Sequence, residues 1–332
     1  RLSVDAPHLA AADLVILVRE LHRFWDEGVV RFLEAAGVPY VYFTDDNFLA
    51  LRAERSASRF YSARRVTRAL AGAAEVWAST PALAVALKGL HPRVRVWSPV
   101  LDPVLAGEHP APPSDGGRVT VAVAAEDFRL PGLRGAVLER LRDVAAGPGL
   151  RLVLTPAGAR ALALELPDAE IVAMPRERSF RQFVRQWRRF GVDILLHPAG
   201  ATANAPFKCP TSAIVAGYLG AAPVAADEPA YADWGEEQGV VALGAEAEGL
   251  ALAAARARDP DWRGAMQARL RNALASRLGE AGRLEALAML LDSAPSARRR
   301  IESGAPGLVL GRAGLAIAKA TRRLRDAAIR PG

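Results

Sequence analysis

A single cysteine, Cys209, excludes an internal disulfide and suits a reducing cytosol. Histidine is also sparse. His8, His22, His91, His109 and His197 lie far apart and show no metal-ligand spacing, so no metal is expected. No uninterrupted apolar run is long enough for a transmembrane helix. The chain lacks a phosphate-binding P-loop, a dinucleotide-binding glycine fingerprint and a nucleophile elbow, which argues against a kinase, a dehydrogenase or an α/β-hydrolase. No signal peptide is visible, but the first residue is Arg1 rather than Met, so a preceding segment is not excluded. No short-period repeat appears either.

What is present is apolar and rich in alanine. Apolar residues make up 51% of 332 residues, enough for two domains with sizeable cores. The charge is unevenly spread. Nine basic and two acidic residues in 295–332 give that tail the whole chain's net charge of +7, leaving the rest about neutral. A nucleic-acid-binding protein would carry a basic footprint over its body, so no nucleic-acid partner is expected. The tail, with Leu308, Leu310, Leu315, Ile317 and Leu324 among its cations, reads in two ways. It is either an interfacial helix near anionic lipid or a terminal helix packed on the body with a wet basic face.

Strands and helices alternate along the body, which predicts parallel βαβ units. The first series holds strands at Asp13–Val18, Pro39–Thr44, Glu75–Ser79 and Val94–Trp97, with helices at Phe24–Ala36, Ser58–Ala71 and Pro81–Lys88. A segment rich in proline and glycine follows, expected as a hinge over 106–117 between domains at 1–105 and 118–293. The second series has strands at Arg118–Ala125, Leu150–Thr155, Glu170–Ala173, Val192–His197, Pro223–Ala226 and Gly239–Leu243. Its helices fall near Leu133–Ala146, Ala157–Leu166, Ser179–Phe190, Ala245–Arg256 and Asp261–Leu291. In Ser179–Phe190 the aromatic stripe is expected in the core, and Arg181, Arg185, Arg188 and Arg189 mostly on a solvated face. A basic helical tail over 294–332 ends the chain.

Val192–Tyr231 is the most informative stretch. A buried strand ends at Pro198, a polar loop carries Asn204 and Lys208, and Pro210 and Thr211 open a helix that Gly220 closes. Pro223–Ala226 is the next strand, with Asp227, Glu228 and Tyr231 beyond its carboxyl end, where parallel sheets bind ligands. A lysine beside a helix N-terminus favours an anion. This segment resembles the donor-binding region of GT-B glycosyltransferases, in particular the large retaining family 4, or group 1, type. Gly220–Ala226 (GAAPVAA) is similar to that family's closing Gly-x-Pro-Val-Val-Ala turn and strand. Arg129-Leu-x-x-x-Arg134-Gly resembles its phosphate clamp, and YFTDDNF, EVWASTP and VRVWSPVLD follow its first-domain order. The departures are Ser212, where the family usually has lysine, and Val215, where it has the glutamate that holds the donor ribose.

The resemblance implies an α/β fold of two Rossmann-like parallel-sheet domains facing a cleft, the first lacking its opening strand and glycine-rich acceptor loop. It implies sugar transfer from a nucleotide-sugar donor to a glycan or lipid-linked acceptor, with no cofactor beyond that co-substrate. The expected donor-binding residues are Arg129, Arg134, Asn204, Lys208, Thr211, Ser212, Glu228 and Tyr231. Asp45, Asp46 and His22 are the catalytic candidates; for the aspartates a helix cap is the other reading, and for His22 a helix start. Ser212, Val215 and the short first domain keep a second expectation open, a GT-B-like domain that binds nucleotide or glycan without transfer. The expected location is cytoplasmic, with peripheral attachment if the tail meets the membrane.

Overall fold

The computed structural model describes residues 6–19, 24–52, 62–99, 102–107, 117–124, 127–174 and 179–278. They form two compact units, one ending at Ser98 and the other beginning at Pro99. That division precedes the expected boundary at 105, because Asp102–Gly107 is tied to the second unit. The Asp102 N–H donates to the Tyr218 hydroxyl at 2.6 Å, Arg188 donates to the Ala106 carbonyl at 3.0 Å, and Leu105 is buried among that unit's apolar side chains. Most of the expected hinge, the end of the long last helix and the basic tail lie outside the described residues.

In the first unit β1 (Val15–Val18), β2 (Tyr40–Thr44), β3 (Glu75–Ala78) and β4 (Val94–Val96) form a parallel sheet in chain order. Helices Phe24–Ala36, Ala63–Ala71 and Pro81–Lys88 lie between the strands. β2 and β3 are almost wholly buried while the edge strand β1 alternates with solvent, so the core sits at the sheet's middle. Phe32, Leu33, Tyr42, Leu70, Val76 and Leu83 fill it. The short helix Phe48–Arg52, which no apolar period announces, starts from Asn47, whose side chain accepts from the Leu49 and Ala50 N–H groups.

The second unit carries β5 (Val119–Ala122), β6 (Leu150–Leu154), β7 (Glu170–Ala173), β8 (Ile194–His197), β9 (Ala222–Ala225) and β10 (Val241–Ala242). All pairings are parallel, in the order β10-β9-β8-β5-β6-β7. The chain runs outward from β5 to β7, then returns to β8 on β5's other side. This is the Rossmann arrangement, and it leaves a switch point between the carboxyl ends of β5 and β8. Side chains alternate across the sheet. Val119, Val121, Leu152, Leu154, Ile194 and Leu196 face one buried cluster, and Ala122, Val153 and Leu195 face the other.

Val215, 4% exposed, packs with Leu195, Ile214 and Leu219 in the second cluster, on the apolar side of its helix. Two expectations for this unit are corrected. Arg188 does not lie on a solvated face. It is buried, and its Nε donates to the Tyr218 carbonyl at 2.7 Å. Phe180, expected in the core, is half-exposed, with its ring edge against Tyr218.

Candidate functional site

Three loops meet at the switch point. The turn after β5, a 3-10 segment Asp127–Leu133, brings in Arg129; the loop after β8 brings in Pro198 and Gly200; the residues after β9 bring in Glu228. Gly132 lets the first two loops touch, because a methyl group there would collide with the Ala199 carbonyl oxygen. Arg129 and Glu228 are each 6% exposed and form a two-pronged ion pair, at 2.6 Å between Nη1 and Oε1 and 3.0 Å between Nη2 and Oε2. Arg129 also donates to the Pro198 carbonyl at 2.8 Å, and the Gly200 N–H donates to Glu228 Oε1 at 2.9 Å.

His197, the last residue of β8, extends this pair. Its Nε2 lies 3.1 Å from Glu228 Oε2 and its Nδ1 lies 2.7 Å from Ser212 Oγ. Burial lowers the His197 pKa; the hydrogen bond to Glu228 opposes that, and the Arg129 charge adds to it. The ring is therefore neutral near neutral pH, and the geometry assigns its protons. Nε2–H donates to the carboxylate, and Nδ1 accepts from the Ser212 hydroxyl. Burial pushes the Glu228 pKa up, but the hydrogen bonds from His197 and Arg129 and the charge of Arg129 outweigh it and hold the carboxyl at about 2.

The helix Thr211–Leu219 starts beside this network. Tyr231, buried and 4.8 Å from the His197 ring by centroids, places its hydroxyl at the helix's first turn and accepts from the Ser212 N–H at 3.1 Å. Burial drives the Tyr231 pKa upward, so its phenol stays neutral. A helix end that was expected to face an anion is thus capped by a neutral side chain of the chain itself.

Ser212, His197 and Glu228 have the connectivity of a Ser-His-acid triad, but not its electrostatics. A triad's carboxylate stabilises the imidazolium formed in the reaction, whereas here Arg129 already neutralises Glu228 and disfavours that charge.

Of the residues expected from sequence, Arg129, Ser212, Glu228 and Tyr231 are brought together. Arg134, the clamp's other half, is not: it pairs with Glu165 at 2.7 Å on an exposed surface. Lys208 is half-buried at the end of the 3-10 turn Ala205–Phe207, and Thr211 is exposed, its hydroxyl 3.4 Å from the Cys209 carbonyl. Asn204 is fully buried in that loop. Sequence reasoning missed His197. Its signal was available: a lone polar residue closing an otherwise apolar strand at a sheet's carboxyl end.

In the first unit, Asp45 and Asp46 follow β2 and both pair with Arg19, which follows β1; Arg19 Nε lies 2.8 Å from Asp45 Oδ1. Neither aspartate opens the next helix, since Asn47 does. Arg19 has φ 54°, a left-handed conformation uncommon for a side-chain-bearing residue. His22 lies outside the described residues. Among the described residues no group of three or more metal-ligating side chains occurs, and no helix is long and apolar enough to cross a membrane.

No protein-family model matches the chain, and no curated protein matches it. Solved structures do. Anabaena Alr3699/HepE in complex with UDP is 14% identical with a TM-score of 0.58, covering 87% of this chain and 80% of that one. A UDP-forming α,α-trehalose-phosphate synthase from Burkholderia xenovorans, in complex with glucose-6-phosphate, is 14% identical with a TM-score of 0.59. That match covers 87% of this chain and 75% of the synthase. Staphylococcus aureus TarM is 9% identical with a TM-score of 0.54, over 77% of this chain and 51% of its own. Two parallel sheets, each flanked by helices, together with these likenesses define the GT-B architecture of two Rossmann-like domains. It is the fold of enzymes that use nucleotide sugars.

Proposed function

We propose that the protein is a glycosyltransferase that moves a sugar from a nucleotide-sugar donor to a glycan or lipid-linked acceptor, with retention of configuration. The observation that carries this reading is the charged network of Arg129, Glu228 and His197 at the switch point of a GT-B second domain. A leaving diphosphate needs cationic groups and N–H donors there rather than a bound metal. Arg129, Lys208 and the Gly200 N–H supply them in this reading, with Asn204, Thr211, Ser212, Glu228 and Tyr231 lining the donor side. Asp45 and Asp46 serve the acceptor hydroxyl in this reading. UDP is the first nucleotide to test, because similar folds have been solved with it. Calorimetric titration of UDP into chelator-treated protein is expected to show binding; no binding of any nucleoside diphosphate would refute the reading.

A second reading has its own observation. Arg129 is engaged by Glu228, the helix end is capped by Tyr231, and the expected lysine and glutamate are Ser212 and a core Val215. These favour a degenerate domain that binds nucleotide or glycan and does not transfer. UDP binding without UDP release from any UDP-sugar, whatever acceptor is added, selects it.

A further inference from the structure

The Glu228 carboxylate sits in a cradle built for an anion. The Arg129 guanidinium grips both of its oxygens, the Gly200 N–H donates to Oε1 at 2.9 Å, and His197 Nε2 lies 3.1 Å from Oε2. The donors come from two strand ends, the turn after β5 and the end of β8 with its following loop, and they converge where Rossmann-type sheets bind their ligands. A planar guanidinium with a loop N–H is a common recognition device for phosphate as well as carboxylate. The balance of charge at this point is also telling. One arginine faces one carboxylate beside a neutral histidine, so the cradle as it stands has no net positive charge to offer a diphosphate.

We propose that Glu228 is an internal stand-in for the ligand's phosphate, and that a phosphate group binds here by displacing Glu228 from Arg129 and the Gly200 N–H. Glu228 then sets which anions enter. A singly charged anion gains too little from Arg129 to break a two-pronged, buried pair, whereas a diphosphate brings more charge and more acceptor oxygens to the same donors. Weak anions abundant in a cell are thereby kept out. The proposal rests on the donor-site reading for the nature of the ligand, but its geometry stands on the cradle alone.

The test uses the full-length chain, with inorganic pyrophosphate and UDP as probes in separate calorimetric titrations. Glu228→Gln keeps the shape and removes the competing charge. It is expected to bind pyrophosphate about tenfold or more tightly than the unaltered protein. The double variant Arg129→Gln with Glu228→Gln is expected to lose that gain. A folded Glu228→Gln protein with equal or weaker pyrophosphate affinity overturns the proposal. Glu228→Asp, one methylene shorter, pulls the carboxylate back from Arg129 and the Gly200 N–H and so weakens the competing pair; it is expected to show a smaller gain in pyrophosphate affinity and replaces the glutamine variant if that fails to fold. If neither variant folds, Glu228 is an indispensable structural counter-ion and the proposal is likewise overturned. The two readings separate cleanly. UDP binding to the unaltered protein with no gain in the variant sinks the displacement while sparing the donor site. A gain for pyrophosphate with no UDP binding by either protein does the reverse.

Discussion

At the scale of single residues, Val215 is the sharpest case. Its place in the sequence invites Val215→Glu as a repair of the lost ribose contact, but its side chain faces the core with Leu195 and Leu219. A carboxylate there would be buried without a partner. Val215→Glu is therefore expected to lower stability by about 3 kcal/mol or more, read from urea unfolding, and not to tighten UDP binding. A stable variant with improved UDP affinity would show that the helix turns this position to the ligand. The buried network gives a second expectation. His197 has a pKa below its ordinary value and Glu228 one near 2, so for both groups the unfolded chain holds more protons on acidification. Stability from each is present above the unfolded pKa and lost as pH falls. One decline starts below about pH 6.5 and another runs from about pH 4.5 towards 2, the second worth roughly 3 kcal/mol. Asp193, whose pKa burial raises, acts in the opposite sense. His197→Gln should erase the upper decline and shrink the lower, because Glu228 loses the imidazole hydrogen bond but keeps Arg129; an unchanged profile above pH 5 would show that His197 is not the group responsible. Residue types told part of this. Arg129 and Glu228 could each be singled out as candidates from the sequence, but their mutual pairing could not, since ninety-nine positions separate them.

At the scale of elements, the strands were the most readable feature. Short apolar runs closed by proline, glycine or aspartate mark buried parallel strands, and β2, β3, β6 and β8 fall where those runs do. Helices were less so. Phe48–Arg52 and Pro103–Gly107 have only five residues each, too few to show a period, and they form because Asn47 and Asp102 side chains accept from their first N–H groups. Loops carry the site and were the least readable, because their shape depends on contacts between distant turns. Gly132 shows why. Nothing beside it in sequence announces that Ala199 will press against it, yet the approach of those two loops carries Arg129 to Pro198 and Glu228. Gly132→Ala is expected to push the loops apart, cost about 2 kcal/mol and weaken the Arg129–Glu228 pair. Thermal melting of the variant checks this, and an unaltered midpoint would mean that the loop after β8 yields freely.

At the scale of the whole molecule, the fold and the charge distribution address different questions. The candidate site lies at the switch point of the second unit's sheet, while the net charge of +7 resides in residues 295–332. Nothing in the chemistry of sugar transfer calls for a cluster of nine cations at one end of a chain whose body is about neutral. A lipid-linked acceptor would supply a reason, because it lies in a membrane and a basic, apolar-studded segment is drawn to anionic headgroups. Each cation close to such a surface is worth about 1 kcal/mol, and salt screens it over roughly 10 Å at moderate ionic strength. We propose on this ground a peripheral association with the cytoplasmic face of a membrane. The full chain is expected to sediment with vesicles containing phosphatidylserine at low salt and to be released as salt is raised. A chain ending at Ala294 should stay in solution throughout while retaining its UDP affinity. If both forms remain in the supernatant, the segment is a solvated basic tail and the acceptor need not be sought in the membrane. If both sediment, attachment comes from the body and the tail's charge has another use.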